Sequence, residues 1–202
     1  DLDVLGHGRH LVDGLGVPLV LGVEFELLHH LEDETPALEV AVLGGQVVLV
    51  LIAQGETVEI QNALILGIDL EPGDVDEYYN GYANRTLWPL FHYRIDLAEY
   101  ENEFGRGYER VNERFANSLM PLIEDEDIVW VQDYHFLPLG GRLRAQGVRN
   151  RIGLFLHIPW PPTRLLVSLP YHERLVGAML DYDVIGFQSV EWLESFLHYC
   201  RK

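Results

Sequence analysis

Three short apolar runs, residues 128–131, 152–156 and 184–187, constrain what this chain can fold into more than any other feature. A strand covered on both faces reads as a near-continuous hydrophobic run, which is the signature of a buried parallel sheet. Helical patterns surround these runs. Residues 108–123 carry Val111, Phe115, Leu119 and Leu122 at helical spacing. Residues 136–146 predict a second helix, with Gly147 as its C-terminal cap. Residues 171–180 predict a third, and Ser189 caps a last one that runs through Tyr199. Pro159, Pro161 and Pro162 force a non-helical loop directly after the second run. The order β-α-β-α-β-α with short links predicts an α/β fold, a Rossmann-like parallel sheet flanked by helices.

The 202 residues are not uniform. Residues 1–68 carry one basic residue, Arg9, against eleven acidic ones, and one aromatic, Phe25. All four Trp and all ten Tyr lie beyond residue 68. The break divides an atypical acidic, aromatic-poor segment, 1–68, whose structure the sequence leaves open, from a domain at 69–202. Within the first segment, residues 38–53 are strand-like around Gly44-Gly45, and residues 27–31 have a helical spacing. Glu71-Pro72-Gly73-Asp74 reads as turn chemistry, as do the acidic residues 124–127.

A formal net charge of −18 argues against nucleic acid and against an anionic membrane surface, since both need clustered Lys and Arg. It leaves phosphorylated small molecules open, because one or two local cations or a helix N-terminus suffice for them. The single cysteine, Cys200, permits neither a disulfide within the chain nor a cysteine metal cluster. The longest apolar stretch, residues 47–53, is far shorter than the ~20 residues of a membrane-spanning helix. No basic leader precedes Asp1-Leu2-Asp3, so the expectation is a cytoplasmic protein.

In an open α/β sheet, ligands bind outside the carboxyl ends of the strands. Asp133 and His157 follow the first two apolar runs directly, and His135 lies close by. Three readings fit these residues. Asp133 caps a helix and the histidines are bonded locally; or Asp133, His135 and His157 hold a metal; or a carboxylate and a neutral imidazole grip sugar hydroxyls without metal. Tyr78-Tyr79-Asn80 and Leu87-Trp88-Pro89-Leu90 form a second cluster. Its aromatics are either core or a platform for the apolar face of a pyranose ring.

The series Asp76-Glu77-Tyr78-Tyr79-Asn80, Leu87-Trp88-Pro89, Arg110-Val111-Asn112, Trp130-Val131-Gln132-Asp133-Tyr134-His135, Asn150-Arg151-Ile152-Gly153, Phe155-Leu156-His157-Ile158-Pro159 and Asp181-Tyr182-Asp183 with Gly186-Phe187-Gln188 closely resembles the N-terminal half of the trehalose-6-phosphate synthases. Those are retaining glycosyltransferases of the GT-B architecture. The resemblance implies transfer of the glucosyl unit of UDP-glucose to glucose 6-phosphate, with no cofactor and no metal. It implies that Tyr79, Trp88 and Asp133 line the acceptor pocket for glucose 6-phosphate. His157 would bind the donor sugar, and His157 and Asp133 would be the residues nearest the chemistry. The implied partners are small-molecule substrates, with no nucleic acid, no membrane and room for a homo-oligomer.

Departures from the family pattern carry expectations too. The family's opening Ser-Asn-Arg strand, its Gly-Gly-Leu loop and its Trp-Phe-Gly-Trp segment are not found in residues 1–68. Gln132 stands where the family usually has His. The second Rossmann-like domain, source of the cations that neutralise the UDP diphosphate, is expected to be absent. That points to an inactive fragment, with a sugar-phosphate-binding or accessory subunit as the alternative.

Overall fold

The structure, a computed structural model, describes residues 19–21, 40–43, 47–49, 58–60, 63–65, 68, 70–125 and 127–202. The first strands are β1 (Leu19–Leu21), β2 (Val40–Leu43), β3 (Val47–Leu49), β4 (Val58–Ile60) and β5 (Ala63–Ile65). They join β6 (Ile128–Gln132), β7 (Arg151–Leu156) and β8 (Val184–Phe187) in one sheet of order β1-β8-β7-β6-β2-β3-β5-β4. The expected parallel arrangement holds for β1, β8, β7 and β6. Beyond β6 the sheet is mixed: β2 runs antiparallel to β6 and to β3, and β4 antiparallel to β5, while β3 and β5 are parallel. The strand-like pattern at residues 38–53 thus becomes β2 and β3. The helical spacing at residues 27–31 falls outside the described residues.

The helices are α1 (Pro72–Asp74), a π-helix (Val75–Leu87), α2 (Trp88–Phe91), α3 (Asn102–Leu119), α4 (Leu139–Ala145), α5 (Thr163–Leu166), α6 (His172–Met179) and α7 (Val190–Cys200). Several boundaries correct the sequence reading. Glu71-Pro72-Gly73-Asp74 opens a helix rather than a turn. Pro72 sits in the first helical turn, where its missing N–H costs nothing. Buried Asp74 there is charge-paired with Arg110 and Arg114 at 2.6 and 3.1 Å. Helix α3 begins at Asn102, six residues earlier than the apolar spacing showed, because Gly105 and Gly107 interrupt the pattern. Its C-terminal end tightens into a 3₁₀ turn, Met120–Leu122, at Pro121. The single helix expected at 136–146 is a 3₁₀ turn, Tyr134–Phe136, followed by α4. Pro138 lacks the N–H that would have continued the chain of helical bonds. Gly147 (φ +94°) ends α4 and Ser189 caps α7 through the N–H of Trp192, both as read.

The core forms where these elements meet. Val129, Val131, Ile152, Leu154, Leu156, Ile185 and Phe187 on the strands are fully buried. The π-helix packs along α3 so closely that glycines are required. A Cβ on Gly81 would come within 2.5 Å of the Phe104 ring, and one on Gly107 would overlap Glu77. After β7, the proline loop is pinned by Trp160, which is fully buried against Phe91, Phe187 and Phe196 at ring separations of 5.2, 6.2 and 5.1 Å. Among the described residues, no helix is long and apolar enough to cross a membrane.

Gly153 in β7 supports the indole of Trp130 on the neighbouring strand, and a Cβ there would lie 2.5 Å from Trp130 Cε3. Neither the buried ring nor the strand can yield without moving packed neighbours. Gly153→Ala should therefore lose about 1–3 kcal/mol, as overpacked core sites do. Urea unfolding measures it, and an unchanged midpoint would show that the indole has room to move.

Candidate functional site

Three parallel strands end side by side, and each is followed at once by a polar side chain. β6 ends in Gln132 and is followed by Asp133, β7 is followed by His157, and β8 by Gln188. The rule that selects Asp133 and His157 from the sequence also selects Gln188, part of the Gly186-Phe187-Gln188 motif, whose residue type alone carries no role.

Asp133 is the corner of this site. Its backbone has φ +63° and ψ 179°, a conformation that non-glycine residues avoid at a cost of about 1–3 kcal/mol. Four hydrogen bonds offset that cost. The Asp133 N–H donates to Phe155 O at 2.7 Å. Its carboxylate accepts the N–H groups of Tyr134 at 2.9 Å, His157 at 3.3 Å, and Ile158. The helix-cap reading of Asp133 is therefore correct for the short 3₁₀ turn, but the same carboxylate also holds the start of the β7 loop. Burial outweighs these bonds and pushes the carboxyl up to about 6.

The turn after Asp133 is held by four side chains from three other elements. Tyr108 Oη donates to Tyr134 O at 2.6 Å and accepts from the Leu137 N–H at 3.2 Å. Buried Asn112 Nδ2 donates to His135 O at 3.1 Å, and Tyr78 Oη reaches the same carbonyl at 3.4 Å. Tyr182 Oη donates to Phe136 O at 2.7 Å. Tyr134 Oη in turn donates to Asn84 Oδ1 at 3.0 Å. These residues support the site without forming its mouth. Asn112 and Tyr182 lie in the quoted motifs, but only the tertiary structure shows what they hold.

His135 stacks face to face on Tyr79, with centroids 5.7 Å apart and planes inclined by 11°. Burial alone lowers its pKa to about 3, so it is neutral at physiological pH. His157 is lowered by burial as well. Its Nε2 is 2.8 Å from Gln132 Oε1 and its Nδ1 3.4 Å from Gln188 Nε2. Among the described residues, no group of three His, Cys, Asp or Glu is placed to hold a metal ion, so a metal site from Asp133, His135 and His157 finds no geometric support. Trp88 is 44% exposed at the end of the π-helix, its ring stacked on His92 at 3.9 Å. The structure thus joins Tyr79 to the Asp133 turn through His135, and Asp133 to His157 directly. Trp88 stands apart from these bonds.

A cavity of about 760 Å³ lies elsewhere, between α3 and the turn before α6, and includes Tyr82, Tyr108 and Tyr171. Several of its charges pair with one another, Arg142 with Glu109 and Glu113, and Arg174 with Glu109. None of Tyr79, Trp88, Asp133 or His157 lines it.

The raised carboxyl makes a stability prediction. Folded Asp133 holds its proton up to about pH 6, whereas an unfolded aspartate releases it near 3.9. Between those values the native state binds more protons, so stability falls as pH rises, by up to about 3 kcal/mol from this group. Urea unfolding at pH 4 and pH 7 should show the wild type losing that amount relative to Asp133→Asn. A constant gap between the two proteins would mean that Asp133 titrates normally.

Comparison with known proteins converges on one family. The model of "Glycosyltransferase family 20" matches residues 52–202, starting upstream of the composition break at 68. A trehalose-6-phosphate synthase of Sinorhizobium fredii is 51% identical over 134 residues, which cover 66% of this chain and 29% of that protein. One from Escherichia coli is 48% identical over 129 residues, 64% of this chain and 27% of the relative. The E. coli structure bound with UDP-2-fluoro glucose superposes with a TM-score of 0.71 at 42% identity, covering 72% of this chain and 32% of its own. The Burkholderia xenovorans alpha,alpha-trehalose-phosphate synthase in complex with glucose-6-phosphate gives 0.70 at 43% identity, covering 74% and 34%. The chain spans less than a third of the length of these curated relatives. The matched family model, covering most of the chain, and the shared α/β fold together place this chain in glycosyltransferase family 20.

Proposed function

We propose that this chain is the acceptor-binding part of a trehalose-6-phosphate synthase. The whole reaction would join the glucosyl unit of UDP-glucose to glucose 6-phosphate, with retention at the anomeric carbon. The observation that carries the reading is the polar row at the ends of β6, β7 and β8, anchored by Asp133 and His157 and flanked by Tyr79. Relatives of the same fold are described as bound with UDP-2-fluoro glucose and with glucose-6-phosphate.

In this reading Tyr79, Trp88 and Asp133 hold the acceptor and His157 the donor sugar. An ionised Asp133 accepts from sugar hydroxyls, and aromatic faces pack on the ring's apolar side. The acceptor hydroxyl attacks the anomeric carbon on the face from which UDP leaves. The C–O bond to the diphosphate breaks, and a diphosphate oxygen takes the hydroxyl proton. The protein then contributes positioning and charge stabilisation rather than a covalent nucleophile. Half-buried neutral imidazoles at His135 and His157 suit that task, since they add no charge to repel or trap a sugar.

One observation favours binding without turnover by these 202 residues alone. Residues 133–141, 157–163 and 188–192, which follow the three strands, contain no Lys or Arg; the next cations after the first two stretches are Arg142, already paired with Glu109 and Glu113, and Arg164. A leaving diphosphate needs such cations.

Two measurements test the proposal. Isothermal titration of the chain with glucose 6-phosphate should give saturable heat. Asp133→Ala should weaken binding roughly 10- to 100-fold, the loss typical of a hydrogen bond to a charged group. No heat at millimolar sugar phosphate removes the binding reading. Radiolabelled UDP-glucose with glucose 6-phosphate should give no disaccharide from this chain alone, and turnover would show that the strand ends suffice.

A further inference from the structure

His157 sits between two amides of different depth. Gln132 is buried on β6, and Gln188 is exposed after β8. The inner contact, His157 Nε2 to Gln132 Oε1, measures 2.8 Å; the outer one, His157 Nδ1 to Gln188 Nε2, measures 3.4 Å. An amide oxygen only accepts and an amide nitrogen only donates, while a neutral imidazole has one nitrogen of each kind. One tautomer satisfies both contacts: the proton on Nε2, the lone pair on Nδ1. The donor edge therefore faces inward and the acceptor edge faces the exposed side.

We propose that Gln132 is a positioning residue that locks His157 in the Nε2–H tautomer, so that Nδ1 presents its lone pair to a sugar hydroxyl, with the Gln188 amide as a placeholder which that hydroxyl displaces. The identity of the ligand rests on the glycosyltransferase reading above; the lock itself does not. The long outer bond is the replaceable one, and the short buried bond persists. A hydroxyl can donate to Nδ1, whereas a fluoro or methoxy group at the same carbon cannot. His157 therefore selects for a free hydroxyl. A glutamine at position 132 keeps this orientation at any physiological pH, because an amide does not titrate. The charged neighbour, Asp133, contacts the backbone N–H of His157 rather than the ring. The Phe155 ring meets the imidazole edgewise at 4.7 Å.

The test is a long-range ¹H–¹⁵N spectrum of the ligand-free, ¹⁵N-histidine-labelled 202-residue chain, with the His157 signals identified by their loss in His157→Gln. The wild type should show a single neutral tautomer, protonated at Nε2. Gln132→Leu, close in size and suited to a buried position, should lose the lock and give a mixture. Gln132→Glu should keep the Nε2–H tautomer and raise the His157 titration midpoint by roughly 1–3 pH units through its nearby negative charge. An Nδ1–H wild type, or a midpoint unmoved in Gln132→Glu, overturns the proposal even if the leucine variant fails to fold. Titration with glucose and with its methylated analogues is read separately. A locked imidazole with no sugar binding would remove the sugar contact proposed for His157 and leave the lock standing.

Discussion

The carboxylate of Asp133 binds two strand ends into one unit. By accepting N–H groups from its own turn and from the loop after β7, it fixes where the polypeptide leaves both strands. The chain accepts an unfavourable backbone conformation at this point because so many bonds converge on it. Without that corner, the imidazole of His157 and the glutamine beside it would have no common frame. The strain and the burial that raises this carboxyl have the same origin: a charged acceptor is placed where backbone donors, rather than water, surround it.

Around this corner the structure spends hydroxyls and amides on carbonyl groups. Tyr108, Asn112, Tyr78 and Tyr182 satisfy the successive carbonyls of residues 134–136, which neither a helix nor a strand can serve. They come from three separate elements, so the turn reports on the packing of the π-helix, α3 and the segment before β8 together. Burial keeps these tyrosines protonated, their pKa values held above the usual value. They therefore act as fixed donors.

How much of this was legible in the sequence follows from which signals are local. The three parallel strands, the Gly147 and Ser189 caps and the proline loop each depend on a few adjacent residues, and each is found where it was read. The start of α3 is hidden because Gly107 answers to Glu77 of the neighbouring helix, a tertiary demand that breaks the apolar spacing. Pro72 reads as a turn maker and Pro138 as a residue inside a helix, yet both mark helix starts, since proline punctuates a helix from its N-terminal side as well as beyond its end. In the proposed site, Asp133 and His157 stood out as polar ends of apolar runs. Of the amides beside His157, Gln188 carries no such signal and Gln132 is marked only as a departure from the family's usual His, because the role of an uncharged glutamine at a strand end depends on the partner across the sheet.

Gly107 touches none of the polar groups proposed to meet a sugar, yet the position of those groups passes through it. It lets α3 lie against Glu77 of the π-helix, and one residue further along α3 stands Tyr108, whose hydroxyl clamps the turn behind Asp133. The π-helix that Gly107 admits also carries Tyr79, which stacks on the histidine of the same turn. A missing side chain therefore acts as a spacer of zero thickness, setting the gap between two levers that grip one hinge. Inheritance at such a position would be governed by the width of that gap rather than by any chemistry of its own.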